Sequence, residues 1–270
     1  MIKLNNLEFS HQGKSIIKNV SLEFEGGKLY CILGPNGCGK TTLINLMSRA
    51  LSPKKGSIIL DGKEIKSYSQ KELAKKISLL PQGRNMPETT VEQLVFFGRY
   101  PYMGIMKKPT QKDAEIISYA LERAGVSHLK DRTLDSLSGG ERQSAYIAML
   151  LAQDTPCILL DEPTTYLDIS NEIALISLLK DLANEGKCVI TVLHNLPSAL
   201  KAADRVLVMK SGENVFFGEP ENALKSGIFK DVFKVDIAKT AKQVLRTKNT
   251  STIDKIYVDM WQQLFEALNS

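Results

Sequence analysis

The sequence predicts an α/β protein with a mainly parallel sheet, an N-terminal antiparallel β subdomain and an inserted helical subdomain. After residue 155, apolar segments of strand length alternate with longer segments of helical periodicity, a pattern typical of a parallel sheet with helices on both faces. Between Gln82 and Asp154 the periodicity is mostly helical, which indicates an insertion. Near the N-terminus, two apolar stretches flank the polar residues 11–14, which favours a β-hairpin.

The composition is that of an ordinary globular protein and argues against several classes. Of the 270 residues, 43% are hydrophobic and 24% are charged, which suits a large core and not a disordered chain. The formal net charge of +5 is smaller than nucleic-acid-binding proteins usually carry, so we expect no nucleic-acid partner. The four cysteines form no Cys-x-x-Cys pair, which argues against a disulfide framework or a zinc site. No apolar run reaches the ~18 residues that cross a bilayer, so we expect a soluble intracellular chain.

The predicted elements follow the alternation that this fold requires. Strands are predicted at residues 7–9, 16–24, 28–33, 57–60, 77–80, 157–160, 188–193 and 205–209. Helices are predicted at residues 41–51, 111–124, 138–153, 170–184 and 197–202. The predicted domains are a core of residues 1–82 and 155–234, a helical subdomain of residues 83–154, and a C-terminal extension of residues 235–270.

The C-terminal extension carries apolar residues at helical spacing. After a polar stretch, they occur at Ile253, Ile256, Tyr257, Met260, Trp261, Leu264, Phe265 and Leu268. The apolar face of such a helix must be covered by another surface. Docking against the chain's own core is favoured over a contact with a partner or a second copy.

Residues 34–41 read GPNGCGKT and match the phosphate-loop pattern G-x-x-x-x-G-K-[ST], directly after a predicted strand and at the start of a predicted helix. The glycines let several backbone N–H groups turn toward one anion, Lys40 reaches the outer phosphates, and the Thr41 hydroxyl suits Mg²⁺. The fold class is then a P-loop NTPase core. The alternative is a glycine-rich turn without a ligand. The candidate nucleotide contacts in this segment are Asn36, Gly37, Cys38, Gly39, Lys40, Thr41 and Thr42.

A second candidate element is the acidic pair Asp161-Glu162, at the end of a predicted strand. Open α/β sheets bind ligands at the carboxyl ends of their strands, and successive side chains of a strand point in different directions. Asp161 is predicted to hold Mg²⁺, and Glu162 to orient or deprotonate the water that attacks the γ-phosphate. An exposed acidic loop is the alternative.

Residues 137–143 read LSGGERQ and place a serine and two glycines at the start of a predicted helix. Ser138, Gly139 and Gly140 form a second anion site, which is redundant if the phosphate loop binds all the phosphates of one nucleotide. The second site must then serve another nucleotide. A capping box between Ser138 and Glu141 is the simpler interpretation, and both can hold together.

With this motif, the sequence resembles the ATP-binding-cassette (ABC) ATPases over about residues 4–234. The resemblance implies that ATP and Mg²⁺ are bound. It also implies a head-to-tail homodimer, in which the signature motif (residues 137–143) of each copy covers the γ-phosphate held by the other. The residues that it assigns to catalysis are Lys40, Gln82, Glu162 and His194. Those that it assigns to the metal are Thr41, Gln82 and Asp161.

The resemblance also implies contacts outside the phosphate loop. His11 occupies the position of the aromatic residue that stacks on adenine in this family, and Ile16 would pack against the other edge of the base. Imidazole is planar but smaller, so base discrimination is expected to be weaker. Asp168 would cross the dimer interface. Asn195 follows His194 where aspartate is frequent.

Residues 90–104 resemble the TV…V..GR.P..G stretch of ABC ATPases that serve importers of iron complexes, haem and vitamin B12. Residues 161–169 read DEPTTYLDI, which is usual in that branch. The resemblance implies integral membrane permease subunits as partners, with the helical subdomain as their docking site and Gln82 as its hinge. A substrate-binding protein would take part indirectly. The chain would lie at the cytoplasmic face of the cell membrane.

Other functions remain open from the sequence. A soluble ABC ATPase of the iron–sulfur assembly type is separated from a transport subunit only by residues 98–104. The DNA and ribosomal types are disfavoured, because the chain has neither a long coiled-coil insertion nor a second cassette. A P-loop kinase or GTPase would leave residues 137–143 without a role.

Overall fold

The computed structural model describes residues 1–83, 88–104 and 109–234, and Gln262. The strands of these residues are β1 (Ile2–His11), β2 (Lys14–Phe24), β3 (Lys28–Leu33), β4 (Lys55–Leu60), β5 (Lys63–Glu64), β6 (Ile77–Leu80), β7 (Cys157–Asp161), β8 (Cys188–Val192), β9 (Arg205–Lys210) and β10 (Glu213–Gly218). The α-helices are α1 (Lys40–Met47), α2 (Gln70–Ala74), α3 (Val91–Phe97), α4 (Gln111–Arg123), α5 (Gly139–Gln153), α6 (Ile169–Asn184), α7 (Leu196–Ala202), α8 (Pro220–Lys225) and α9 (Ile228–Phe233). No helix of these described residues is long and apolar enough to span a membrane. The apolar stripe predicted within residues 253–268 lies outside the described residues.

The central sheet has six strands in the order β10-β9-β3-β8-β7-β6. Strands β9, β3, β8, β7 and β6 are parallel, and β10 runs antiparallel to β9. Parallel strands end at the same edge, so the segments that follow β3, β6, β7 and β8 meet there. This arrangement confirms the predicted α/β fold class and creates the edge at which the candidate site lies.

An antiparallel sheet in the order β2-β1-β4-β5 forms the N-terminal part of the fold, as predicted. Strands β1 and β2 form the hairpin, with His11 opposite Lys14 near its tip. The pairing of β1 with β4 is irregular between Asn5 and Glu8. Gly56 is required beside this irregularity, because a Cβ atom at its φ of +84° would lie 2.3 Å from the Asn5 carbonyl oxygen.

The hydrophobic core forms two clusters, one on each face of the central sheet. Strand β3 shows the division, because its successive side chains point to opposite faces. Leu29, Cys31 and Leu33 belong to one cluster, and Tyr30 and Ile32 belong to the other. Helices α3 to α9 close the first cluster, whereas α1 and the N-terminal sheet close the second. The predicted helices are therefore present on both faces, and the antiparallel sheet shares one of them.

Some predicted boundaries differ from the observed ones. Helix α1 ends at Met47, earlier than predicted, because Arg49 takes a left-handed φ of +61°. The Arg49 guanidinium donates to the Ile65 carbonyl oxygen at 3.2 Å and to Gln70 Oε1 at 2.7 Å, so its side chain is held against residues 65–70. Strand β10 and helices α2, α8 and α9, of five or six residues each, are not among the predicted elements.

Helices α3, α4 and α5 pack together within the predicted helical subdomain, whose boundaries stay a prediction. A buried ion pair supports this packing: Arg99 Nε lies 2.9 Å from Asp113 Oδ1, and Arg99 Nη1 donates to the Ala152 carbonyl oxygen at 2.8 Å. The Thr110 hydroxyl and N–H both donate to Asp113 Oδ2 as part of the α4 capping box. These bonds from Thr110, with Arg99 beside them, lower the pKa of the Asp113 carboxyl to about 2.

We expect Asp113→Asn to destabilise the protein by about 2 kcal/mol at neutral pH, because the amide leaves a buried guanidinium without its charged partner. A carboxyl whose pKa falls from 3.8 to about 2 on folding stabilises the fold above the higher value and loses that contribution as the pH drops toward the lower one. The stability difference between wild type and variant should therefore be constant above about pH 5 and shrink between about pH 4 and pH 2. Chemical denaturation across this range measures it.

Glu115→Gln is the matched control for this substitution. Glu115 lies on the same helix but is exposed, with Gln111 Nε2 at 3.3 Å. We expect it to change the free energy of unfolding by less than about 0.5 kcal/mol throughout the pH range. A loss for Asp113→Asn that is as small as this control would contradict a stabilising role for the buried pair.

Candidate nucleotide site

The loop between β3 and α1 wraps its backbone around one point at the carboxyl edge of the central sheet. Gly34, Gly37 and Gly39 have φ values of +156°, +76° and +109°, and Gly39 is the N-cap of α1. A Cβ atom on Gly34 would lie 2.5 Å from the Met209 carbonyl oxygen, so only glycine permits this approach. The N–H groups at the start of α1, together with the positive end of its dipole, favour an anion at this point.

A cavity of about 690 Å³ opens beside this loop and has the size of a small-molecule binding site. Lys40 is buried, and its Nζ donates to the carbonyl oxygens of Gly34 at 2.7 Å and Pro35 at 3.1 Å, which keeps the ammonium at the loop. The predicted nucleotide contacts that line the cavity are Ile16, Asn36, Gly37, Gly39, Lys40, Thr41 and Thr42. The other predicted residues that line it are Gln82, Glu162 and His194.

Gln82, Glu162 and His194 converge at this edge of the sheet. Glu162 directly follows β7, and its Oε2 accepts from Gln82 Nε2 at 2.7 Å. Its Oε1 lies 2.5 Å from His194 Nε2. The Glu162 backbone has a φ of +53°, which is costly for a residue other than glycine and must be held by surrounding contacts. The result is one carboxylate with two orienting partners, in the same cavity as Lys40.

Asp161 and Thr41 form the part of the site that fits a divalent cation. Asp161 is buried, its Oδ1 has no hydrogen-bond partner among the described residues, and the Thr41 side chain hydrogen-bonds to the carboxylate. Burial raises the pKa of the Asp161 carboxyl, the Thr41 bond opposes the rise, and the nearby Glu162 carboxylate adds to it. A carboxylate with a spare lone pair beside a hydroxyl is an oxygen donor set that Mg²⁺ accepts together with phosphate oxygens. The described residues contain no group of three or more His, Cys, Asp or Glu side chains that could hold a metal.

The signature motif lies outside this cavity. Ser138 is the N-cap of α5 and forms the expected capping box: its N–H donates to Glu141 Oε2 at 2.8 Å, and its Oγ accepts from the Glu141 N–H at 3.3 Å. The Ser138 bonds lower the pKa of the Glu141 carboxyl. Gly139 and Gly140, like Asp168, are absent from the described lining of the cavity. Within one chain, the phosphate loop and Glu162 therefore line the same cavity, whereas the signature motif lies on another part of the surface.

Three further residues from the sequence analysis are His11, Cys38 and Asn195, and each has a different environment in the structure. His11 is exposed and is absent from the described cavity lining, so its role at the base stays a prediction. The Cys38 thiol packs in the same apolar cluster as Met209, and burial raises its pKa, which leaves the backbone at this position to face a phosphate. Asn195 is the N-cap of α7, where its Oδ1 accepts from the Ser198 N–H at 3.3 Å. Asparagine can fill this capping role as well as aspartate does.

A second wall of the cavity has no counterpart in the sequence-based prediction. It is built by Lys14, Ser15, Lys18, Ser211 and Gly212. Ser211 and Gly212 form the turn between β9 and β10, and Gly212 joins two neighbours: its N–H donates to the Cys38 carbonyl oxygen at 3.0 Å, and its carbonyl oxygen accepts from the Lys18 N–H at 2.9 Å. A Ser-Gly pair after a buried strand indicates a turn. Only the tertiary structure shows that this turn reaches the phosphate loop.

Comparison with known sequences agrees with this geometry. The chain matches the family described as ABC transporter over residues 17–165. The ferric enterobactin transport ATP-binding protein FepC of Escherichia coli (strain K12) is 40% identical over 221 residues, which cover 81% of this chain and 82% of that protein. The petrobactin import ATP-binding protein FpuD of Bacillus anthracis is 40% identical over 237 residues, which cover 87% of this chain and 87% of that protein.

Two solved structures share the fold. A metal-chelate type ABC transporter in an inward-facing conformation is 31% identical, with a TM-score of 0.75, and the match covers 87% of this chain and 89% of that one. An ATP-binding cassette in a dimeric post-hydrolysis state, bound to ADP and Pi, is 27% identical, with a TM-score of 0.72, and the match covers 82% of this chain and 99% of that one. With the phosphate loop, the acidic pair and the signature motif all in place, the chain belongs to the ABC transporter family and is one of its ATP-binding ATPase subunits.

Proposed function

We propose that this chain is the ATP-hydrolysing subunit of an importer for an iron complex such as a ferric siderophore, and that two copies drive a membrane permease through head-to-tail closure. The observation that carries the proposal is the position of Glu162, which lies between Gln82 and His194 beside the phosphate loop while the signature motif faces elsewhere. The named functions of the relatives support the transport role.

The triphosphate binds along the phosphate loop. Lys40 and the N–H groups at the start of α1 neutralise its charge. With the phosphates at this end, the wall that contains Lys14, Lys18 and Ser211 receives the nucleoside, and Ile16 packs against the base. His11 stays the proposed stacking partner, which requires its exposed ring to turn toward the base from the tip of the adjoining hairpin.

Thr41, Gln82 and Asp161 would hold Mg²⁺ together with phosphate oxygens. The Asp161 oxygen without a hydrogen-bond partner and the adjacent Thr41 hydroxyl support this assignment. When bound, the ion neutralises part of the charge on the phosphates. Its charge would also keep the Asp161 carboxylate ionised in a buried position that otherwise raises its pKa.

Glu162 is the proposed general base for the water that attacks the γ-phosphate. Gln82 and His194 contact different oxygens of its carboxylate, and each oxygen keeps a lone pair that can accept from the water. The proposed role of the His194 imidazole is to contact the γ-phosphate, while Gln82 keeps the carboxylate in place.

A second copy completes each site. The start of α5 presents Ser138 and two glycines to an anion, yet it does not line the phosphate-loop cavity of its own chain. In a head-to-tail pair, each signature motif covers the γ-phosphate held by the other copy, and Asp168 lies between the two sites. The dimeric cassette structure supports this arrangement.

The importer also contains integral membrane permease subunits. We place their docking site on the helical subdomain and this chain at the cytoplasmic face of the membrane. A substrate-binding protein delivers the iron complex to the permease and acts on this chain only indirectly. No described helix spans a membrane, which fits attachment through the permease.

We expect Glu162→Gln to form a stable dimer in the presence of ATP and Mg²⁺. An amide cannot accept the proton of the attacking water, so the closed pair persists without hydrolysis. Light scattering should give twice the 29.9 kDa of one copy. The double variant Glu162→Gln, Lys40→Ala is the control and should remain monomeric, because it lacks the ammonium that is proposed to bind the phosphates. Glu162→Gln protein that stays monomeric in solution and is present as one copy in its membrane assembly would contradict the proposed mechanism.

We also expect the tagged chain to purify from its own cells together with an integral membrane permease. Cells that lack the chain should lose uptake of a radiolabelled ferric siderophore, because this chain is the proposed ATP-hydrolysing subunit of the importer. Uptake should return with the wild-type chain and not with Glu162→Gln. Normal uptake without the chain, combined with the absence of a permease in the purification, would instead favour a soluble ATPase of iron–sulfur assembly.

A further inference from the structure

Gln143 connects the signature helix α5 to the loop that follows Glu162. It lies one turn after Gly139 and Gly140 and is 6% exposed, which is unusual for a glutamine in the described part of the chain. Its Nε2 donates to the carbonyl oxygen of Pro163. Because Pro163 directly follows Glu162, this bond holds the backbone one residue beyond the proposed base.

The same loop also packs on the two glycines of the signature motif. A Cβ atom on Gly139 would lie 3.3 Å from the Tyr166 Cβ, and one on Gly140 would lie 3.7 Å from Leu167 Cδ2. Tyr166 is 83% exposed and has a left-handed φ of +73°. A bulky residue keeps such a backbone conformation only when its surroundings hold it. A displacement of the two glycines would therefore shift this loop.

The loop is short and internally bonded, so it can carry such a displacement to the base. The Thr165 N–H donates to the Glu162 carbonyl oxygen at 3.3 Å, and the Leu167 N–H donates to the Thr164 carbonyl oxygen at 3.1 Å. Glu162 itself has a left-handed backbone, as Tyr166 does. The direction of the Glu162 side chain thus depends on how this turn is held, and Gln143 is its buried polar support.

We infer that Gln143 is a positioning residue that couples the two ATP sites of the dimer, an inference that rests on the proposed head-to-tail arrangement. When the signature motif of one copy binds the γ-phosphate held by the other copy, the start of α5 becomes fixed. Gln143 passes this constraint through Pro163 to Glu162 of its own chain. Each Glu162 is then held in place more firmly when the opposite site holds a nucleotide, so hydrolysis at the two sites is cooperative.

Gln153 is a matched control on the same helix. Its Nε2 also donates to backbone carbonyl oxygens, those of Ala74 at 2.7 Å and Ile77 at 3.3 Å, but at the other end of α5 and away from Glu162. Replacement of either glutamine by methionine keeps the approximate shape and removes the donor. A purely structural role predicts similar consequences for both.

Mixed dimers with a single intact base separate coupling from stability. One copy keeps Glu162, the other carries Glu162→Gln, and Gln143→Met is placed in one copy or the other. We expect the rate of ATP hydrolysis per dimer to fall at least about tenfold when Gln143→Met is in the copy with the intact base. With Gln143→Met in the other copy, the rate should stay within about twofold of the parent mixed dimer. Gln153→Met should act equally in both placements.

Each outcome of this experiment decides one proposal. Equal rates in the two placements of Gln143→Met would overturn the coupling role and leave the proposed function standing. A parent mixed dimer that does not form with ATP and Mg²⁺ would overturn the proposed function, and the coupling role with it. If the Gln143→Met chain does not fold, Gln143→Asn takes its place, because it keeps the amide but is one methylene too short to reach Pro163. The same contrast between placements is expected.

Discussion

The carboxylate of Glu162, held between Gln82 and His194, is the interaction on which the rest of the site depends. These three side chains come from segments that follow three adjacent strands, β6, β7 and β8. The parallel register of those strands, with Leu80 beside Leu160 and Leu160 beside Thr191, brings the segments to one edge of the sheet. The phosphate loop follows β3, the next strand in the sheet, so Glu162 and the phosphate loop line one cavity.

The backbone beyond this edge explains how two adjacent carboxylates come to lie in different surroundings. Asp161 ends its strand with a buried side chain next to Thr41, whereas the left-handed φ of Glu162 turns the chain and points its carboxylate toward His194. Further contacts hold the helices that follow. The Ser198 hydroxyl on α7 donates to Glu172 Oε1 on α6 at 2.9 Å. The helix that follows Asp168 and the helix that follows His194 therefore support each other.

Much of this arrangement is predictable from the sequence because its signals are local. The phosphate loop, the acidic pair and the signature motif each place residues suited to phosphate or a cation at the end of a strand or the start of a helix. Strands β3 and β6 occupy the residues predicted for them. The fold class follows from the alternation of such elements.

The remaining features depend on contacts between distant residues, which a single sequence does not reveal. The turn at Ser211 and Gly212 reaches the cavity only because β9 lies beside β3. The direction of the Cys38 thiol depends on an apolar cluster built by several elements. Gln143 stands inside a recognised motif, yet its buried partner Pro163 lies 20 residues further along the chain. Local patterns thus predict which residues bind phosphate, and tertiary packing decides how they are held.

A complementation experiment tests most directly whether one pocket is shared by two copies. Lys40→Ala removes the phosphate-loop ammonium, and Gly139→Asp places a carboxylate where the signature motif would meet a γ-phosphate, so each variant alone should be inactive. In a mixed dimer, one of the two shared sites combines the intact phosphate loop of the second variant with the intact signature motif of the first. Shared pockets predict that part of the wild-type ATPase activity returns when the two inactive proteins are mixed, because one complete site forms while the other stays empty. Mixed dimers that form but stay inactive at every ratio would contradict it.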